Sequence, residues 1–360
     1  STPTASHGNV YVTGSPIRID KTAALRAVAV TPGYLDSAVM THTYIFVSDV
    51  IRQSPNGELP GTGWPASGAV NGHAMDYGMD PDIVNNATWG PLVDDALLAI
   101  PSISLVTDVE NLFDPVKGIY VNPGGHGRNW ERPASAELIN PDGSDGFHIN
   151  AGLRIRGGYS RGTWNPKHAF RLFFRAEYGE ANLQFPLFED EGVKEFDKVD
   201  LATSQNYSWS HGGSSQNTMV REVWSRDMQG AMGHPYTRTR YYHLYVNGVY
   251  WGLYNTQERA ESVHAAAYMG GEREDYDVVK ADWEVGRQMN AIDGNRDALD
   301  RLYNETMAGL GSMERYYRLA GMNLDGARNP AYERLLDVEG LIDFMIIEYY
   351  TGDRDGPGSR

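Results

Sequence analysis

The stretch Gly152–Arg175, GLRIRGGYSRGTWNPKHAFRLFFR, reads as strand, glycine-rich turn and strand. Side chains alternate across a strand. Leu153 and Ile155 therefore share one face, and Arg154 and Arg156 take the other. In the second strand Phe170, Leu172 and Phe174 line up, with Lys167, Ala169, Arg171 and Arg175 opposite. If the two apolar rows face one core, Arg154, Arg156, Lys167, Arg171 and Arg175 gather on one sheet face. Two readings stay open: a local anion site, joined by Arg161 and the turn amides of Gly157 and Gly158, or an exposed basic face that serves solubility.

The rest of the chain makes such a patch unusual. Its 360 residues carry 31 Lys and Arg against 47 Asp and Glu, a net charge of −16. That balance argues against a general nucleic-acid or anionic-membrane binder, because phosphates would be repelled. No run approaches about 18 apolar residues, so membrane insertion is not expected. With no cysteine, disulfide frameworks, thiol nucleophiles and zinc–thiolate sites are excluded. A 41% hydrophobic share fits a chain with a real core.

A second hairpin, Arg240–Glu258 (RYYHLYVNGVYWGLYNTQE), turns at Asn247-Gly248. A two-residue loop pairs Val246 with Val249, Leu244 with Trp251 and Tyr242 with Leu253, an apolar face. Gly252 then lies opposite His243 on the other face, with Tyr254, Thr256 and Glu258. A mid-strand glycine marks close approach by a flat ligand or by a crossing helix.

Short strand-like runs separated by turns fill residues 1–48, and 49–100 is turn-rich. The acids around Asp76–Val84 suit either a calcium site or a capped, solvated turn. The loop Gly124–Gly127 either cradles phosphate or makes a tight connection, and it lacks P-loop or dinucleotide spacing. Helices are predicted at about Ser215–Met232, Asp297–Met307 (Leu299, Leu302 and Tyr303 inward) and Glu339–Tyr350 (Leu341, Ile342, Met345, Ile346 and Tyr349 apolar).

Four blocks in this order resemble the CotH family, whose members look like atypical protein kinases. They are GLRIRGGYSRGTWNPKHAFRLFF, the segment VREVWSRDMQGAMGHPYTRTRYYHLYVNGVYWGLYNTQE, YDVVKAD, and EYYTGDRDGPGSR. The upstream NLFDPVKGIYVNPGGHGRNWERPASAEL is also similar to bacterial members, and the resemblance covers roughly residues 100–360. The run from Pro16 to Phe46 resembles the C-terminal β-sandwich domain of chitobiase-like enzymes. The implied architecture is α+β: an atypical kinase-like domain over 101–360, with a mixed or antiparallel sheet and packed helices. A partial β-sandwich over 1–48 and a connecting region over 49–100 precede it.

The resemblance implies ATP and Mg2+ as cofactors and phosphoryl transfer to Ser or Thr of a surface or extracellular protein. It also implies a secreted or cell-surface bacterial location. Cations must neutralise the polyphosphate while an Asp orients the acceptor hydroxyl. Lys167 matches the family's P-K element as a phosphate contact, and strand geometry adds Arg154 and Arg156. Glu258 matches the acid after the Y-W-G-L-Y strand and would anchor a Lys or Arg, and Lys280 matches a pocket-lining lysine. Asp355 matches the catalytic Asp of an N-x-D loop, although Asp353 stands where Asn is expected. Arg360 occupies the position of a metal-binding Asn, and no acidic metal-binding segment follows. This departure implies a fragment of a longer protein or a chain unable to hold magnesium.

Two further classes compete. A non-catalytic glycan- or surface-protein-binding module would use aromatic residues in loops, Trp64, Trp130, Trp164 and Trp209. A glycoside hydrolase would need a spaced carboxylate pair, and the sequence offers too many acids to choose one.

Overall fold

The computed structural model describes residues 1–203, 218–282 and 288–353. The fold is α+β, and the chain divides into two compact units: Ser1–Met219 with Thr239–Gln257, and Val220–Arg238 with Glu258–Arg360.

The first unit begins with a two-stranded sheet, β1 (Ala23–Ala27) and β2 (Met40–Tyr44). Its body uses β3 (Ser102–Val106), β4 (Arg132–Ile139), β5 (His148–Arg156) and β6 (Ala169–Phe173). After a small ribbon, β7 (Leu183–Gln184) with β8 (Glu195–Phe196), come β9 (Lys198–Ala202), β10 (Thr239–Val246) and β11 (Val249–Gln257). Seven of these close into a barrel in the order β10-β11-β9-β6-β5-β4-β3. Every pairing is antiparallel except β3 with β10, the parallel seam that closes the ring. Closure removes the exposed edges that an open sheet must protect.

The predicted alternation decides which way each wall residue points. Leu153, Ile155, Phe170, Leu172, Phe174, Val199 and Leu201 are all buried in one core with Tyr120, Trp64 and Trp251. Arg154, Arg156 and Arg171 take the alternate, outer positions. The β1–β2 sheet is tied to the barrel by Thr43 Oγ1 to Ser104 Oγ (2.8 Å), by Thr43 N to Glu137 Oε2 (2.8 Å) and by Arg26 to Asp108 (2.9 Å).

The second hairpin departs from the expected register. Val246 faces Val249, but a bulge after Tyr245/Tyr250 sets Leu244 opposite Gly252, His243 opposite Leu253 and Tyr242 opposite Tyr254. One extra residue reverses the alternation beyond it. Trp251 and Tyr254 both enter the core, Thr256 is fully buried, and Asn255 and Gln257 turn to the outer face. Gly252 sits at φ +130°, and a Cβ there would meet nothing nearer than Tyr254 Cε2 at 3.8 Å. The glycine answers to the bulge's backbone conformation, not to a close neighbour.

In the second unit, β12 (Val278–Asp282) pairs with β13 (Gln288–Asp293), and helices span Arg221–Ala231, Asp297–Met307 and Val338–Thr351. The first of these is shorter than predicted, and part of its expected start lies outside the described residues. Of the residues expected inward on the Asp297–Met307 helix, one faces out, and the last helix exposes most of its apolar residues. Tyr303 is exposed, and so are Leu341, Ile342, Ile346 and Tyr349, while Ile347 is the buried residue of the last helix. Among the described residues no helix is long and apolar enough to cross a membrane.

Candidate functional site

One row of side chains crosses five strands on the outer wall of the barrel. Reading across the register, Arg154 of β5 faces Arg171 of β6, Arg171 faces Asp200 of β9, Asp200 faces Gln257 of β11, and Gln257 faces Thr239 of β10. Side chains directly opposite one another lie close enough to interact, so the backbone itself assembles this set.

Two carboxylates hold the arginines. Asp200, nearly inaccessible, accepts from Arg156 Nε (2.8 Å) and from Arg171 Nη2 (2.8 Å) and Nε. Burial pushes its carboxyl up, but the Arg171 and Arg156 guanidiniums outweigh that and hold it below the usual carboxylate value. Glu131, with only 1% of its side chain exposed, accepts from Arg128 Nη1 (2.7 Å), Arg154 Nε (2.8 Å), Arg175 Nε (3.2 Å) and Tyr178 Oη (3.0 Å). A Cβ at residue 152 would stand 2.3 Å from Glu131 Oε1, so Gly152 is what lets this carboxylate lie against the sheet.

At the other end of the row the hydrogen bonding is incomplete. Gln257 is 1% exposed; its Oε1 accepts from Arg156 Nη2 (3.0 Å), and its Nε2 has no partner. Asn255 Nδ2, two residues earlier on the same face, and Thr239 Oγ1, opposite Gln257, are also buried without partners. A buried donor left unmade costs about 1–3 kcal/mol. Two such amides and a hydroxyl lie buried along this end of the row, with Gln257 joined to Arg156.

The other predicted site residues lie elsewhere. Lys167 precedes β6 and is not on the basic face: its Nζ donates to Asp76 O (2.8 Å) and lies 4.5 Å from the ring centroid of the core residue Trp251. Burial pulls its pKa down to about 8, with Asp76 acting the other way. The five basic residues therefore do not converge. Arg154, Arg156 and Arg171 share the wall with Asp200 and Glu131, Arg175 reaches Glu131, and Lys167 serves the interior side. Arg161 is a backbone clamp, not an anion ligand. It donates to the carbonyls of Ile155 (2.7 Å), Gly157 (2.5 Å), Gly125 (3.2 Å) and Pro123. The glycine loop at 124–127 is explained by packing, since a Cβ at Gly125 would strike the Trp130 ring at 2.1 Å.

In the second unit Glu258 accepts from Arg238 N (2.8 Å), Arg238 Nη1 (3.2 Å) and Tyr268 Oη, with His264 Nε2 at 3.6 Å. Burial raises its carboxyl, but His264, Tyr268 and Arg238 together bring it below the ordinary value. The Arg238 guanidinium lies over Tyr268 (3.8 Å) and Tyr236 (4.5 Å). Lys280 is exposed on the β12–β13 hairpin, opposite Asn290. Asp355 lies outside the described residues.

Among the described residues no group of three or more His, Asp or Glu side chains is arranged to hold a metal. The acids near Asp76–Val84 make a capped turn, with Asp80 accepting from Asp82 N (2.9 Å). Of the loop tryptophans, Trp64 is a core residue, Trp130 packs against the core, Trp164 is exposed, and Trp209 falls outside the described residues.

Sequence reasoning missed Glu131, Asp200, Asn255, Gln257 and Thr239. The bulge hid the amides, because unbroken alternation turns Thr256 rather than Gln257 outward. The family model of the CotH kinase protein matches residues 153–359, from the strand that carries Arg154 through the hairpin that carries Gln257. No curated protein matches the chain. A match over more than half of the sequence places it: the chain belongs to the CotH kinase family.

Proposed function

We propose that this chain carries the ATP-binding part of a protein kinase-like domain spanning 101–360, with the polyphosphate held on the outer wall of the barrel beside Arg156, Gln257 and Asn255. The observation that carries this reading is the set of orphaned donors next to a guanidinium. Gln257 Nε2 and Asn255 Nδ2 are buried, and once uncovered by an entering ligand they would give two N–H groups to phosphate oxygens, beside the positive charge of Arg156 oriented by Asp200. Arg154 and Arg171 extend the positive wall. ATP would supply the phosphoryl group. Asp355, by its match to the family loop, would orient the Ser or Thr hydroxyl of the acceptor. No step is assigned to Mg2+, because Asp200 and Glu131 are both engaged by arginines.

The acceptor is proposed as a protein of the bacterial surface or exterior, and the chain itself as secreted, with residues 1–48 an accessory, carbohydrate-associated β-segment. The exposed Trp164, 5.2 Å from Tyr159 by ring centroids, is the feature that speaks for the alternative of a glycan-binding module.

Titration calorimetry with ATP tests the assignment. Gln257→Leu removes an orphaned donor while keeping the volume, so the chain should stay folded and lose about tenfold in affinity, roughly 1.4 kcal/mol. Lys167→Ala should leave affinity within about twofold, near 0.4 kcal/mol. The reverse pattern moves the phosphate site to Lys167. Glycan binding with no nucleotide binding by the unaltered chain overturns the kinase reading altogether.

A further inference from the structure

His73 and His168 lie edge to face in the barrel interior, both fully buried, with ring centroids 4.6 Å apart. Their Nε2 atoms are 2.5 Å apart. The remaining nitrogens point at backbone carbonyls: His73 Nδ1 at Ala74 O (2.7 Å) and His168 Nδ1 at Ser160 O (3.0 Å). A carbonyl only accepts, so each Nδ1 must carry a proton. That leaves two Nε2 lone pairs facing each other, and the contact between them needs a third proton. A neutral imidazole carries one N–H, so two neutral rings supply two protons for three links.

We propose that His73 and His168 form a single-proton site, a buried imidazole–imidazolium pair that closes all three links when it gains one proton and opens one of them when it loses it. The balance is simple: a proton from water enters, the pair goes from neutral to +1, and no other bond changes. The link that opens is His168 to Ser160, because Ser160 O already accepts from Asn165 Nδ2 (3.2 Å). In the neutral pair His168 carries its hydrogen on Nε2 and donates it to His73.

The surroundings set the direction. Burial lowers both rings' affinity for protons, to about 3 for His168, where His73 and Arg161 add to the effect. The groups facing the pair are the Tyr120 ring (centroids at 5.3 and 4.8 Å), Tyr254, whose Oη donates to His168 O (2.8 Å), and Arg161. Lys167, next in sequence, turns its Nζ to Asp76. None of these is an acid that would hold the charge at neutral pH, so uptake falls below the ordinary imidazole value near 6.5.

The pair spans two segments. Ala74 N also donates to Thr163 O (2.8 Å), and Lys167 reaches Asp76 O across the same junction. A proton on the pair therefore tightens the fastening that positions Lys167, and a rise in pH loosens it at Ser160.

Nitrogen-15 NMR of histidine side chains in the full chain, titrated from pH 8 down to the lowest pH at which the chain stays folded, reads the proton count. The proposal expects one step with one proton taken up by the two rings together, the His73 Nδ1 hydrogen retained throughout, the His168 Nδ1 hydrogen gained in that step, and a low-field signal for the proton between the Nε2 atoms. In His168→Gln the side-chain amide can donate to His73 Nε2, so that step should vanish from His73. Two separate steps with a proton on each ring overturn the proposal, as do two rings that stay neutral to the lowest pH at which the chain is folded. The titration of the unaltered chain decides even if the variant does not fold.

Discussion

Two corners of the same barrel wall treat polar groups in opposite ways. Around Glu131 the buried carboxylate is fully bonded: it takes Arg128, Arg154, Arg175 and the Tyr178 hydroxyl, and a glycine clears room for it. Around Gln257, at the far end of the cross-strand row, the amides of Gln257 and Asn255 and the hydroxyl of Thr239 are buried without partners. The saturated corner offers a ligand surplus positive charge but no unmet carboxylate bond, and it behaves chiefly as architecture. The unsatisfied corner bears a cost that folding alone does not return and that, in the proposed function, a bound acceptor would offset. A high density of arginines is thus a poorer guide to binding than an unmet donor.

Substitutions can break this contrast, beginning at the saturated corner. Glu131→Gln strands three guanidiniums around a neutral amide, and loss of one partner of a buried ion pair costs about 3–5 kcal/mol. Urea unfolding should show a loss of that order; a change under about 1 kcal/mol would mean that the cluster is ornamental.

Gly252→Ala places a side chain at φ +130° and should cost about 1–3 kcal/mol. If the bulge also aims Asn255 and Gln257 outward, ATP affinity falls with it, which would sharpen the link between register and site. By contrast, Gln257→Leu should change the unfolding midpoint little, since the unmet Nε2 donor is removed together with the Oε1 bond from Arg156. A marked loss of stability there would erase the difference between the corners.

The pH dependence follows from the sign of each shift. The folded pKa of Asp200 lies below its unfolded value, so its contribution is complete above about pH 4 and lost as pH falls through the folded value. The stability of Asp200→Asn should accordingly be lower but flatter between about pH 4 and pH 2, as read by denaturant unfolding.

Lys167 gives the smallest and most local signal. Its folded pKa is pulled down to about 8, so the charged form is disfavoured in the fold, and the penalty is relieved as pH rises from there toward about 10.4. Lysine NMR should show one side chain titrating near 8; a value above 10 would place Lys167 in solvent rather than against Trp251.

Much of the wall was legible beforehand. Leu153, Ile155, Phe170 and Leu172 point inward as alternation requires, and the Asn247-Gly248 turn is where its dipeptide predicts. The partners of the arginines were not legible. Glu131 precedes β4 and Asp200 lies in β9, separated in sequence from the basic hairpin and brought beside it only by strand order. Lys167 fell on the expected face only if the strand ran back to it, and β6 begins at Ala169.

By itself the sequence determined which faces are oily, where the hairpins turn and which family the chain joins, because those depend on residues within a few positions of one another. Tertiary structure alone decided that the arginines are paired with two buried carboxylates and that the unmet donors are amides rather than lysines. Charge pairing depends on distance in space, and a single inserted residue in β11 was enough to exchange one face for the other.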